Sequence, residues 1–312
     1  MSTNTLASMG AQQKIFYDRT LLSRLLPNLV FLKYGQKKPI PRREGATANF
    51  RRLNRLPPAT TPLVEGVTPT GQTLSWATVN ATVLGYGSFV TLTDLVDMSA
   101  IDPVATETIE ALGEQAAETL DMVVRDVLVE GTNVFRVGGH LNRNQIVAAN
   151  TYTAATGRRV RQIMARNNVK PVVGKKYLAF IHPDAAHDVT ADPAWIEAKQ
   201  YADPQALIAG EIGELNGVRY IETTLAPIFE NAGAAGTVDV YATIVIGRDA
   251  YGVPDIAGSS KPQTFVKPLG SAGADDPMNQ RSSCAWKAYL ATVRLDELCI
   301  LRVEHSSSIA AN

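Results

Sequence analysis

The most regular hydrophobic pattern along the chain lies between Pro103 and Glu130, where Ile109, Leu112, Ala116, Leu120, Val123, Val124 and Val127 recur at steps of three and four. That spacing predicts one helix with a single apolar stripe. Asp102 suits its N-cap, Pro103 its first position and Gly131 its C-terminal stop. About 28 residues at 1.5 Å each make a rod of roughly 42 Å, with acidic residues on its outer face. Upstream, Thr47–Leu53 and the stretch from Leu74 to Leu92 are rich in Thr, Val, Tyr and Phe and read as two extended runs. The text between them, PPATTPLVEGVTPTGQT, holds few large apolar residues. The pair therefore predicts a long hairpin with an irregular tip that cannot form a core of its own.

Residues 1–40 read as an extended arm with one short helix, Gln12 to Leu26, stopped by Pro27. Beyond the long helix and a Gly/Asn-rich joint, VGGHLNRNQ, the pattern becomes mixed α/β. Thr156–Asn168 reads as a helix and Lys176–His182 as a buried strand. Asp192-Pro193 and Asp203-Pro204 each start a short helix, Gly210 ending the second. Gly217–Thr223 and Val238–Gly247 read as strands. A Gly/Pro/Ser connection around 252–280 then leads to two closing strands, Ser283–Arg294 and Leu298–Glu304.

The chain has 312 residues, 45% hydrophobic and 19% charged, which excludes disorder as the state of the whole chain. Lysine plus arginine equal aspartate plus glutamate at 30 each, so no global field draws in nucleic acid. The distribution is another matter. Residues 1–60 hold eleven basic side chains against Asp18 and Glu44, a net +9. Residues 94–130 hold ten acids against Arg125, a net −9. Such asymmetry suggests an interaction arm and a surface that receives it, on the same or a neighbouring copy; the plain alternative is two solvated faces. Glu107, Glu110, Glu114 and Glu118, at steps of three, four and four, share one helix face and are the receiving acids. Arg42, Arg43, Arg51, Arg52, Arg55 and Glu65 are the matching candidates on the arm and hairpin, and packaged DNA is the rival partner for the arginines.

No charged and then apolar leader opens the chain, and no stretch approaches 18 apolar residues, so neither a secretory signal nor a membrane span is expected. Two cysteines, Cys284 and Cys299, are too few for a disulfide framework and read as small buried hydrophobes of a reduced cytosolic protein. His182-Pro183-Asp184 matches the J-domain tripeptide but ends a strand, which argues against that use. His182 and His187, with Asp184 and Asp188 nearby, are off the i,i+4 spacing of a helical zinc pair. A metal-dependent hydrolase on His182, Asp184 and His187 is the enzymatic alternative; a strand-end histidine before a proline-started turn is the bland one. EIGELNG lacks either phosphate-binding glycine pattern and reads as a turn, and Gly85-Tyr86-Gly87 as a bulge or twist within a strand. With no G-x-S-x-G, H-E-x-x-H or C-x-x-C, no catalytic, cofactor or metal residue is assigned.

Long ordered stretches carry a resemblance. FYDRTLLSRLLPNLVFLKYGQKKPIP, FRRLNRLPPATTPLVEGVTP, AIDPVATETIEALGEQAAETLDMVVRDVL with EGTNV, HPDAAHDVTADPAWIEAKQYADPQALIAGEIGELNGVRYIET, GRDAYGVPDI and DPMNQRSSCAWKAYLATVRLDELCILRVE together cover most of the chain. They resemble the major capsid proteins of tailed bacteriophages, of the podophage-type family also found in prophages. The resemblance implies the α+β capsid fold shared with herpesviruses and encapsulin shells. It places an N-terminal arm at 1–40, an extended hairpin loop at 41–93, and a peripheral domain with its spine helix at 94–149. An axial α/β domain at 150–255 and a return to the peripheral domain at 256–312 complete it. It further implies a non-enzymatic shell protein without cofactors, assembled from hexamers and pentamers in the host bacterial cytoplasm into a virion capsid. Scaffolding, portal and decoration proteins and non-specifically held DNA are the implied partners, with no membrane. An encapsulin-like nanocompartment is the close alternative. Some relatives cross-link subunits through lysine and asparagine, and no motif here matches that chemistry. A scaffold segment carried by some relatives is not seen, which points to a separate scaffolding protein.

Overall fold

The computed structural model describes Leu21 and residues 29–41, 43, 45–99, 104–172, 174–195, 211–256, 261–271 and 276–309. Most of the expected arm helix, the expected helix at Asp203-Pro204 and Arg42 lie outside those residues. In chain order the first elements are β1 (Gln36–Ile40), β2 (Thr47–Leu53), β3 (Trp76–Thr82), β4 (Leu84–Thr93), α1 (Asp94–Ser99) and α2 (Val104–Val129). There follow β5 (Val134–Arg136), α3 (Ala154–Arg166), β6 (Tyr177–Ile181), α4 (Pro183–Ala191), β7 (Glu211–Leu215), β8 (Val218–Glu222) and β9 (Ile228–Phe229). The chain closes with β10 (Val240–Ile246), β11 (Tyr251–Ile256), β12 (Gln263–Lys267), β13 (Arg281–Leu290), β14 (Val293–Arg294) and β15 (Ile300–His305).

The centre is a mixed sheet in the order β5-β15-β10-β6-β8-β7, with β9 against β10. Every residue of β6 and β10 is buried, as befits strands covered on both faces. Side-chain alternation divides them between two cores. Leu178, Phe180, Ile244, Ile246 and Ile300 join the buried stripe of α2 and Phe31. Tyr177, Ala179, Ile181, Val245, Leu301 and Val303 instead join Val160 and Met164 of α3 and Val189 of α4. A second sheet, β12-β13-β4, lays Cys284, Trp286, Ala288 and Leu290 on the α2 core. The hairpin root has its own small cluster of Ile40, Ala48, Phe50, Ala81, Val83 and Ala291. A Cβ on Gly252 would lie 2.6 Å from the Phe50 ring, so this contact of hairpin root and β11 requires glycine.

The long helix matches its sequence signals to within a residue at each end. Other elements differ. The run from Leu74 to Leu92 breaks at Val83: β3 pairs with β2, while β4 leaves the hairpin to pair with β13 over its full length. The turn expected after His182 is the start of α4, with Pro183 in its first turn and the His182 side chain accepting from the Asp184 amide. EIGELNG is not all turn: β7 spans most of it, and Asn216-Gly217 makes the tight turn into β8. The supposed connection around 252–280 holds most of β11 and all of β12. The two closing strands part company, β13 going to the second sheet and β15 to the middle of the central one. Gly85 and Gly87, expected to mark a bulge or a twist, sit in regular register opposite Tyr289 and Lys287, so no bulge occurs there.

His305 ends β15 fully buried. Its Nδ1 lies 2.9 Å from the Ser306 carbonyl, which can only accept, so Nδ1 carries the proton and Nε2 accepts from the Thr243 hydroxyl at 2.9 Å. Burial pushes this imidazole down from 6.5 to about 4. The unfolded chain therefore binds the proton first, and stability is lost as pH falls from 6.5 towards 4. The expected loss is on the order of 3 kcal/mol, and His305→Gln should flatten that part of the pH profile in denaturant titrations. An unchanged slope in the variant would remove His305 from the acid response.

Candidate assembly surfaces

The arm meets the spine of its own copy through α2. Leu21 is buried against Gly113, where a Cβ would come within 2.8 Å of the Leu21 carbonyl oxygen, so a larger residue there would displace the arm. Eight residues further along the helix, Asp121 is buried and accepts three consecutive arm amides: Val30 at 2.6 Å, Phe31 at 3.1 Å and Leu32 at 3.0 Å. Desolvation raises the Asp121 carboxyl above 3.8, and the three amides pull it back only in part. The Tyr251 hydroxyl donates to the Phe31 carbonyl, and Phe31 packs against Phe180 at 4.6 Å between ring centroids. Asp121 was counted above among outer-face acids. Its place four after Ala117 and three before Val124, both buried, was the signal that it continues the apolar stripe.

The hairpin projects from its root with residues 54–75 in no regular element, closed by Asn54 N–H to the Ser75 carbonyl at 3.0 Å and Gln72 Nε2 to the Pro57 carbonyl at 3.3 Å. Leu63, Val64 and Val67 at its tip are 79%, 67% and 63% exposed. Glu65 lies beside them, also exposed. At the root a cavity of about 330 Å³ is lined by Lys38, Phe50, Arg51, Arg52, Val79 and Asp249. Arg52 pairs with Asp296; Arg43, Arg51 and Arg55 are exposed and form no ion pair among the described residues. Of the four glutamates on α2, Glu107, Glu114 and Glu118 are exposed and Glu110 half-buried. Among the described residues no ion pair joins Arg43, Arg51, Arg52 or Arg55 to Glu107 or Glu118.

The outward face of β12-β13-β4 carries a trough unexpected from sequence, largely apolar but with the Lys287 ammonium 4.7 Å from the centroid of the Tyr289 ring. Ala285 sits between Phe89 on one neighbour and Phe265 on the other, and Tyr289 lies opposite Gly85. With Gly87 and Tyr86 they line a trough of about 470 Å³, beside which Phe89 is 69% exposed. Its residues come from three strands far apart in sequence, so no local pattern announces it.

The histidine cluster resolves into structural contacts. His182 caps α4 and lies 3.2 Å from Asp184, whose Oδ2 also accepts the Tyr241 hydroxyl at 2.8 Å. His187 is exposed, 3.9 Å from Asp188, and Asp188 accepts from the backbone and hydroxyl of Ser308. Among the described residues no three His, Cys, Asp or Glu side chains gather as a metal set. Cys284 is buried and Cys299 half-buried.

A family model described as phage capsid protein matches residues 89–254, just over half of the chain. No curated protein matches it in sequence. Solved structures agree on the fold. The Ralstonia phage GP4 capsid is 12% identical, with 89% of this chain and 88% of that one covered at a TM-score of 0.69. The cyanophage Pam1 capsid asymmetric unit is 17% identical, covering 92% and 93% at 0.67. The acid-stable capsid of Helicobacter pylori bacteriophage KHP30 is 13% identical, covering 86% and 87% at 0.64. The fold is that of solved phage capsid subunits, and the chain belongs to the phage capsid protein family as a major capsid protein.

Proposed function

We propose that copies of this chain, as hexamers and pentamers, close an icosahedral shell around double-stranded DNA, each hairpin lying over the apolar trough of the next copy. One observation carries this: the same subunit exposes Leu63, Val64 and Val67 at the hairpin tip and, on a sheet face, a trough beside which Phe89 is 69% exposed. An isolated monomer gains nothing from either, whereas a second copy covers both. The sequence boundaries fit that use, with an arm at 1–40, a hairpin loop at 41–93, a peripheral part at 94–149 and 256–312, and an axial part at 150–255. In the shell, Arg42, Arg43, Arg51, Arg52, Arg55 and Glu65 contact the neighbouring copy, with Glu107, Glu110, Glu114 and Glu118 as its acids. Such exposed pairs contribute at most about 1 kcal/mol each, so they set docking register while apolar burial supplies affinity. Scaffolding, portal and decoration proteins act on this shell as it forms in the host cytoplasm, and DNA is held inside without sequence preference.

Deleting Pro58–Gly71 tests it. The Gln72 side chain already reaches the Pro57 carbonyl at 3.3 Å, so the residues to be joined are near neighbours. The expected result is a soluble, folded subunit with native circular dichroism that forms no closed shells by negative-stain microscopy. Normal shells from the deletion would sink the hairpin's role.

A further inference from the structure

The Glu304 carboxylate, fully buried on β15, is ringed by three arginines. Arg136 Nε reaches Oε2 at 2.8 Å, Arg143 Nη2 reaches Oε1 at 2.6 Å, and Arg302 Nε lies 3.0 Å from Oε1. The Arg143 guanidinium also stacks on the Phe229 ring, 3.4 Å from its centroid. One carboxylate against three permanent cations leaves a local +2. That excess is felt within the cluster: burial and the charges of Arg143 and Arg136 push the Arg302 guanidinium below its ordinary value despite Glu304. Arg302 Nε is buried and, although near Oε1, lies off the direction a hydrogen bond needs and goes unsatisfied. Arg136 Nη1 is taken by the Leu141 carbonyl and Arg302 Nη1 by the Val129 carbonyl. The other η nitrogens, Arg136 Nη2, Arg143 Nη1 and Arg302 Nη2, make no hydrogen bond among the described residues. Arg136 and Arg143 keep 21% and 28% of their side chains in solvent, so the excess charge is reachable from outside.

We propose that Arg136, Arg143 and Arg302 form an anion site that takes a phosphate group, with Glu304 holding the three guanidiniums in place. The residues around it are built for rigidity. The loop between Arg136 and Arg143 is fixed by the Gln145 side chain, which accepts from the Leu141 and Asn142 amides at 3.1 and 3.2 Å. A fixed set of guanidinium forks suits the several oxygens of a phosphate better than it suits a single carboxylate. The phosphate has two sources, the phosphodiester backbone of DNA enclosed by the shell or a free polyphosphate anion. The DNA source rests on the reading of the chain as a shell around a genome; the free-anion source does not.

The full-length subunit is titrated with pyrophosphate and, separately, with a 5′-labelled DNA duplex, each against chloride at matched ionic strength, following thermal midpoint and anisotropy. The expected result is saturable binding of pyrophosphate, about tenfold weaker in Arg143→Gln and tighter in Glu304→Gln, where the excess charge rises. Lys170→Gln, an exposed cation elsewhere, should bind as the parent does. Duplex binding that weakens in parallel in Arg143→Gln, with a shallower salt dependence, identifies DNA as the source. Pyrophosphate binding alone identifies the free anion. Should either variant fail to fold, the parent titration decides by itself: no binding beyond chloride overturns the site. Lost shell formation in Arg143→Gln with no polyanion binding by the parent also overturns it, in favour of a carboxylate from a neighbouring copy. Shells formed by a parent that binds neither anion leave the capsid reading standing and this inference refuted.

Discussion

Glu304→Ala is expected to lower the stability of the subunit by roughly 3–5 kcal/mol, a fall in unfolding midpoint on the order of 10 °C. The carboxylate has no exposure and compensates three guanidiniums within 3.0 Å. Removing it leaves three like charges crowded at the meeting of β5, β9 and β15, without the partner that lets them be there. Burial alone would raise the Glu304 carboxyl; the hydrogen bond and charge of Arg143, with Arg302 and Arg136, hold it below 4.5. A depressed carboxyl contributes its stability above the unfolded value and loses it as pH falls through the folded one. The parent should therefore lose this contribution below pH 4.5, while Glu304→Ala, already without it, should show no such step. Chemical denaturation at pH 7 and pH 4 measures both. A loss under about 1 kcal/mol at pH 7 would mean that solvent screens the cluster like a surface pair.

How far the sequence spoke depended on whether the deciding contact was local. The helix from Val104 to Val129 was legible because its stripe lies within the element and its start and stop signals are adjacent to it in sequence. The coreless hairpin tip was legible for the same reason, from a proline-rich stretch between two β-rich runs. Helix α4 was missed because a strand-end histidine followed by proline satisfies a turn as well as an N-cap, and only the downstream packing of Ala185 and Val189 decides. The parting of β13 and β15 was illegible because both read as apolar strands, and their partners in β4 and β10 lie 194 and 54 positions away in the pairs Cys284↔Val90 and Ile300↔Ile246. Among the surfaces, the arginines and glutamates could be named from charge alone. The trough around Ala285 could not, since it exists only where Phe89 and Phe265 are brought to either side of it. The Glu304 cluster escaped notice for a similar reason: Arg136 and Arg143 are unremarkable singly and lie 168 and 161 residues from Glu304 in the chain.

Asp121→Ala should free the arm. The residue was one acid in a stretch of ten, yet it alone binds the backbone of Val30, Phe31 and Leu32. An unsatisfied amide costs more than a made hydrogen bond contributes, and here three lose their acceptor together, one of them fully buried. The expected loss is about 3–5 kcal/mol, concentrated at the arm root. Faster hydrogen exchange at those three amides and new tryptic cleavage after Lys33 should accompany it, while β6 and β10 keep their protection. Asp121→Asn should fall between the parent and the alanine variant, because its amide oxygen can replace Oδ2 and accept from Val30 and Phe31 while its nitrogen turns a donor towards the Leu32 amide. The pH response has a defined sign. Burial raises the Asp121 carboxyl above 3.8, so the folded subunit binds a proton more readily than the unfolded chain. Folding stability should rise as pH falls through the raised value and drop as pH rises through it. Both variants lose that dependence. An arm that stays protected at all three amides in Asp121→Ala would show that Leu21 on Gly113 and Phe31 on Phe180 suffice to hold it, and that the buried carboxylate serves the helix rather than the arm.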